Sequence, residues 1–296
     1  MDLQQMRYVV AVAETRNFTR AAEQCFTVQS ALSHQVANLE REIGVRLFAR
    51  TSRRVEVTAA GEAFVAVARQ CLSEADRAVA EAQAADGIVR GSLAVGMIPT
   101  VTAVDLPLVL RKYRKAHPDV TVTLEVGASD RMAEQIAAGA IDLAFLGLPE
   151  HEEPRDVAYR QLAAEALVAV VPETHALARQ RRIRLDALAG AEFVDFPSGT
   201  PGRNQSDGAF QAAGLKRRVA LEAMTVDLML RLVSSDLAVA LLPRGSVEGA
   251  PGVAILEVDD GPRRVEYVAW SEFNPSPAVR AFLATLGDAG SWGEAL

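Results

Sequence analysis

Cysteine is scarce in this chain: Cys25 and Cys71 are the only two among 296 residues. That is too few for a disulfide framework and points to reduced thiols in a cytoplasmic protein. Cys25 falls on a core-facing helical position and Cys71 on an apolar seam, placements that favour inert burial over redox chemistry. Histidine is almost as sparse. His34, His117, His151 and His175 lie far apart, with no cysteine or carboxylate at ligand spacing, so no metal site is expected. G-x-S-x-G, P-loop and HExxH patterns are absent, and Ser198 in SGTPG has no evident base, so no enzyme is expected either. No stretch approaches the roughly 20 apolar residues of a membrane helix. The opening MDLQQMRYVVAVAETRNF has neither a basic leader nor a small-residue cleavage site, so no secretion signal is read there.

What is present is a globular composition, 50% hydrophobic and 23% charged. The net charge of −7 argues against nucleic acid when taken over the whole chain. It is unevenly distributed. Residues 1–58 hold eight arginines against six carboxylates, a net of +2, and the acidity belongs to the remainder.

Leu3, Met6, Val10 and Ala13 give an amphipathic first helix. Asn17 is placed to cap a second, short helix in which Ala21, Ala22 and Cys25 permit close approach. "FT" makes a tight connection and Thr27 is placed to cap the helix of VQSALSHQVANLERE. That helix sets Val28, Leu32, Val36, Leu39 and Ile43 on one stripe and Ser30, Ser33, His34, Ala37 and Arg41 on the other, with Gln29 at the flank. Two helices across so short a turn match helix-turn-helix geometry. VRLFARTSRRVEVT then reads as a β-wing tipped by Ser52, Arg53 and Arg54. Residues 59–86 read as one long helix with an Ala-rich seam (Phe64, Val67, Cys71, Ala75, Ala78, Ala82), about 40 Å at 1.5 Å per residue. A second copy of the chain is its natural partner. From Gly91 onward strands and helices alternate in an α/β region of two lobes.

Gln29, Ser30, Ser33 and His34 are short donors and acceptors, suited to base edges in a major groove, and Ala37 keeps the backbone close. Arg50, Arg53 and Arg54 suit phosphates or a narrow minor groove. In the α/β region, Pro99, Thr100 and Thr102 sit where a strand ends and a helix begins, and Ser198, Gly199 and Thr200 repeat the arrangement. Two such helix starts facing one cleft would clamp a small anionic molecule.

FTRAAEQCFTVQSALSHQVANLEREIGVRLFARTSRRVEVTAAG closely resembles the winged helix-turn-helix of the LysR-type transcriptional regulators, and the likeness continues more loosely along the chain. The resemblance implies a DNA-binding domain at 1–58, with Thr27 among its contacts, and a linker and dimerisation helix at 59–87. It implies an effector-binding domain at 88–296, similar to periplasmic solute-binding proteins, with lobe I at about 91–160 and 268–296 and lobe II at about 161–267. Crossover strands are expected near 157–163 and 264–270. The same resemblance adds Ser129, the FLGL strand end at Phe145 to Leu148 with Phe145 and Gly147 singled out, and Thr225 to the effector site. The expected partners are double-stranded DNA, further copies of the chain through residues 59–87 and the effector domain, and RNA polymerase if the protein activates. No membrane contact and no cofactor beyond a small-molecule effector are expected. The alternatives are a redox-sensing regulator, or a small-molecule-binding protein without a regulatory role. Two departures stand out. Ser30 replaces the family's usual proline, and Asp236 and Ala238 stand where glycines are usual.

If the wing arginines hold phosphates, Arg53→Ala weakens binding to every DNA sequence alike. It also lowers the log–log salt slope of affinity by about 0.9. An unchanged slope in a salt titration removes Arg53 from the phosphate contacts.

Overall fold

A computed structural model describes residues 1–50, 55–85, 88–273 and 275–289, without the side chains of Arg50, Asp288 and Ala289. The chain divides into two compact units, one built on Met1–Ile88 and the other on the chain from Val89 onward.

In the first unit α1 (Leu3–Thr15) opens with a capping box, in which Asp2 and Gln5 exchange side-chain and backbone bonds. Its buried face is Gln5, Met6, Val9, Ala11 and Val12, rotated from the expected stripe; Leu3 is exposed and Val10 half-buried. Asn17 caps α2 (Phe18–Gln24), accepting from the N–H groups of Thr19 and Arg20 at 2.8 and 3.1 Å. α3 (Gln29–Ile43) buries Leu32, Val36 and Leu39 and ends at Gly44 in the left-handed region. Phe18 meets Phe48 edge to face, with ring centroids 5.9 Å apart, in the core these helices share. The wing is β1 (Phe48–Arg50) antiparallel to β2 (Val55–Val57). Arg53 and Arg54 lie outside the described residues. α4 (Ala59–Ala85) carries Gly61 in its first turn because two stretches of backbone come close there. A Cβ at 61 would fall 2.2 Å from the Leu47 carbonyl oxygen.

α4 packs along α1 within the chain, burying Gly61, Val65 and Ala68 and pairing Arg69 with Glu14 at 3.1 Å. The expected seam is a different face. Val67 is exposed, and Phe64 and Cys71 are only half-buried.

The second unit runs β3 (Gly91–Met97), α5 (Leu106–Ala116), β4 (Val120–Val126), α6 (Ser129–Ala137), β5 (Leu143–Pro149) and the long β6 (Ala158–Pro172). It continues with β7 (Arg182–Ile183), β8 (Glu192–Asp195), α7 (Pro201–Ala212), β9 (Arg218–Glu222), α8 (Val226–Ser234) and β10 (Ala240–Pro243). β11 (Val253–Val258), β12 (Arg263–Trp270) and α9 (Pro277–Ala289) complete it. One sheet is ordered β4-β3-β5-β12-β6-β11-β7, with β10 also on β6, and β8 and β9 form a small parallel sheet.

β6 joins the lobes. Residues 158–166 pair with β12, and residues 167–172 pair with β10 and β11. β12 in turn pairs with β5 from Arg264 to Trp270. The lobe I ladder therefore holds 158–166 and 263–270, more than the expected limits of 160 and 268 allow. The first half of β6 carries Arg160, Gln161 and Glu165 and the second, from Leu167, is wholly apolar, so the composition shifts where the ladder changes partners.

α8 closes with a Schellman turn. Asp236 donates to Val233 O at 2.9 Å and Leu237 to Leu232 O at 3.2 Å, with Asp236 at φ +60°. A glycine occupies that region without the Cβ penalty. Asp236→Gly is expected to stabilise the protein by about 0.5–1 kcal/mol. Unchanged or lower stability in denaturant melts would show that the aspartate side chain compensates the strain.

Candidate functional site

The exposed face of α3 carries Gln29, Ser30 and His34, with Ser33 half-buried beside them. Asn38 organises part of it. Arg41 has only donors, so the Asn38 amide turns its oxygen to Nη1 of Arg41 at 3.1 Å and its nitrogen to His34 Nδ1 at 3.3 Å. Nδ1 accepts, so a neutral His34 carries its proton on Nε2, the ring nitrogen left free to donate. Two expectations fail here. Val28, not Thr27, holds the N-cap position, and it makes no side-chain cap bond. Thr27 instead closes the end of α2, its N–H donating to Ala22 O at 2.9 Å. Val28 is also 65% exposed and so lies off the apolar stripe. Arg50 is on β1.

The second unit holds a cleft of about 560 Å³, counting its open mouth. Its walls are the loops after the C-terminal ends of β3, β4 and β8, with residues of β5 and β10. In open α/β sheets ligands gather beyond the carboxyl ends of parallel strands, where helix starts and free backbone groups converge. Of the residues expected at the effector site, Pro99, Thr100, Ser129, Gly147 and Thr200 line this cleft.

Thr102, Phe145, Ser198, Gly199 and Thr225 are not among its lining residues. Thr102 turns its hydroxyl to the carboxylates behind the wall. Phe145 is buried one step deeper on β5, edge-on to Phe282 of α9 with centroids 6.4 Å apart. Ser198, Gly199 and Thr225 are exposed on loop crests. Two of the lining hydroxyls are already committed. Ser129 Oγ donates to Gly147 O and accepts from Gly147 N, stapling α6 to β5. Thr200 donates to Pro197 O and accepts from Arg203 N, which makes it a helix cap.

The residues that sequence reasoning missed form the back wall. Arg264, only 2% exposed, donates from Nη1 to Thr100 Oγ1 and from Nη2 to Thr100 O, both at 2.8 Å. It also pairs with Glu165 of β6 at 2.7 Å and with Glu266. Glu266, 1% exposed, accepts from the N–H groups of Thr102 and Ala103. Burial pushes the Glu266 carboxyl up from its ordinary value, and the Arg264 charge works in the opposite direction. The sequence signal was opposite charges two residues apart, Arg264 and Glu266, at the start of the strand RRVEYVAW, a spacing that places both on one face.

Away from the cleft lining, Arg217 pairs with Asp195 at the end of β8 and lies over the Phe193 and Phe210 rings, 5.2 and 5.7 Å from their centroids. Gln205 also lines the cleft. Its amide nitrogen donates to Gly202 O at 3.2 Å, which leaves Oε1 buried without a partner among the described residues.

Removing Arg264 strands Glu266 in the interior. Arg264→Ala is expected to cost about 3–5 kcal/mol of stability. Without the cation the folded-state value of Glu266 rises further above 4.5, so the native state binds the extra proton. The loss is therefore largest near neutral pH and shrinks as pH falls. Melts showing the same loss at pH 8 and pH 5 would show that Glu266 does not carry the effect.

Residues 3–62 match the family model described as the bacterial regulatory helix-turn-helix protein, lysR family, and residues 86–291 match the LysR substrate binding domain. The chain is 32% identical to the HTH-type transcriptional regulator IlvR of Caulobacter vibrioides, over 98% of this chain and 99% of that protein. Among solved structures, a full-length single-site variant of OxyR from Pseudomonas aeruginosa superposes with a TM-score of 0.76 at 27% identity, covering 98% of this chain and 94% of that one. Full-length CbnR complexed with its target DNA superposes at 0.68 and 26% identity, covering 98% and 100%. The first match falls in the first unit and the second spans nearly all of the second unit. The chain belongs to the LysR family: it is a DNA-binding transcriptional regulator with a C-terminal effector-binding domain, and not an enzyme.

Proposed function

We propose that the effector is a small carboxylic acid that also carries a hydrogen-bond donor, bound in the cleft of the second unit. The observation that carries this is the set of polar groups left unspent there. Thr100 keeps its hydroxyl proton, Arg264 keeps a second N–H on Nη1, and Gln205 Oε1 lacks a donor. An acid group suits the first two, and an O–H or N–H on the same molecule suits the third. The apolar body lies on Ile98, Phe196, Met224 and Leu241.

Arg264 is not a bare cation, because Glu165 and Glu266 already accompany it. The entering carboxylate meets Arg264 at Nη1, while Glu165, held by Nε and Nη2, and Glu266 stay in place. The redox alternative has less to stand on, since neither cysteine lies in the second unit.

The regulator works in the cytoplasm as an oligomer, with the uncovered face of α4 holding Val67 and Val79 as one contact. The effector acts by population shift, favouring whichever arrangement of the regulator binds it more tightly. Gln29, Ser30, Ser33 and His34 read base edges, and the wing arginines hold phosphates.

A panel of small hydroxy and amino acids at millimolar concentration, each beside its neutral amide, tests the effector class. At least one acid raises the melting temperature of the full chain, and its amide does not. Thr100→Val loses that shift and keeps wild-type DNA affinity. Equal shifts from acid and amide would overturn the carboxylate assignment, and an unchanged response in Thr100→Val would leave Thr100 a structural partner of Arg264.

A further inference from the structure

Phe26 sits in the turn between α2 and α3, and two independent features there oppose stability. Its side chain is 98% exposed, the most exposed large hydrophobic residue among those described. Its backbone is at φ +52°, the left-handed position of a Schellman turn in which its N–H donates to Glu23 O and that of Thr27 to Ala22 O. Glycine is the residue that suits this position, and asparagine is next. Val28, two residues on, is a second exposed apolar side chain, at an N-cap where Ser, Thr, Asp or Asn would stabilise the helix. Folding physics favours different residues at both positions. Nothing among the described residues covers either side chain.

We propose that Phe26, flanked by Val28, is an apolar DNA contact that packs on a thymine C5-methyl group in the major groove, beside the bases read from the first turn of α3. The proposal rests on α3 being the DNA-reading helix. The patch is continuous with that surface: Phe26 and Val28 lead directly into Gln29 and Ser30, and the N-terminal end of a recognition helix is the part that reaches base edges. A thymine methyl is the one apolar group that a base pair presents in the major groove, and phenylalanine is among the side chains that contact it. Such a contact buries the exposed ring on binding and gives the strained turn a return that the free protein lacks. A phosphate offers an aromatic ring no comparable contact.

The test uses full-length protein and a duplex that the wild-type protein enriches from a random-sequence library. Phe26→Gly removes the ring and relieves the backbone, so its melting temperature is expected to stay level or rise by a few degrees. Its affinity for the selected duplex falls by about three- to tenfold. Replacing thymines one at a time by deoxyuridine removes only the methyl group. One such replacement weakens wild-type binding by a similar factor and has no further effect on Phe26→Gly. Unchanged affinity of Phe26→Gly overturns the contact. Weakened affinity with no thymine whose methyl matters to wild type and not to the variant overturns the thymine assignment. Failure of wild type to enrich any sequence, with its fold intact, overturns the DNA reading of α3 on which the proposal stands.

Discussion

A single buried guanidinium governs the architecture of the second unit. Arg264 on β12 needs counter-charge and hydrogen-bond acceptors, because an uncompensated cation in the interior is among the costliest defects a fold can carry. Those acceptors come from Glu165 on β6, Glu266 on β12 and Thr100 after β3. Satisfying one charge therefore brings together segments more than 160 positions apart in sequence. It does so beside the point where β6 leaves one lobe's ladder for the other's. Glu266 extends the tie by accepting from the Thr102 and Ala103 backbone, which fixes the loop that forms a lip of the cleft. The cleft is thus shaped from behind by electrostatics and from the sides by strand ends.

The first unit follows a different logic. Its core is apolar and ordinary, closed by Phe18 against Phe48 and by the buried face of α3. Its local weaknesses collect on one short surface. The left-handed Phe26, the uncapped start at Val28 and the polar face of Gln29 to His34 are adjacent in sequence. Asn17 and Thr58 show that the chain supplies good caps elsewhere in the same unit, at the starts of α2 and α4. The omission at α3 is therefore local to the surface proposed to read DNA, where stability and recognition ask for different side chains.

Much of this was legible in the sequence. The helix-turn-helix, the wing strands, the long α4 and most strands of the second unit announce themselves by period, caps and apolar runs. Asp236 was readable as a left-handed residue because it stands where a helix must stop. The rotation of the α1 face was not, since Val9, Val10, Ala11 and Val12 are all apolar and periodicity cannot choose among them. Thr27 looked like a cap because threonine usually is one, yet the Schellman turn shifted the helix start by one residue. In the cleft, the strand-to-helix loops were found but the serviceable atoms were not. Ser198 and Gly199 had the right composition on the wrong side of the loop. Arg264 was passed over because a charged pair in a strand reads as an exposed edge unless the other face is known to be buried as well.

The charge balance behind the cleft also changes what a carboxylate contributes when it binds. A bare arginine would attract any anion. Arg264 is already held by two carboxylates, so a further carboxylate at Nη1 would bring only a small net Coulomb gain. Affinity must then come from the apolar walls and from the donor that satisfies Gln205, and both depend on shape and on the spacing of groups within the ligand. Inorganic anions lack both features, and simple fatty acids lack the second. A site of this kind discriminates by geometry while remaining indifferent to charge alone, which suits a regulator that must ignore the abundant anions of a cell.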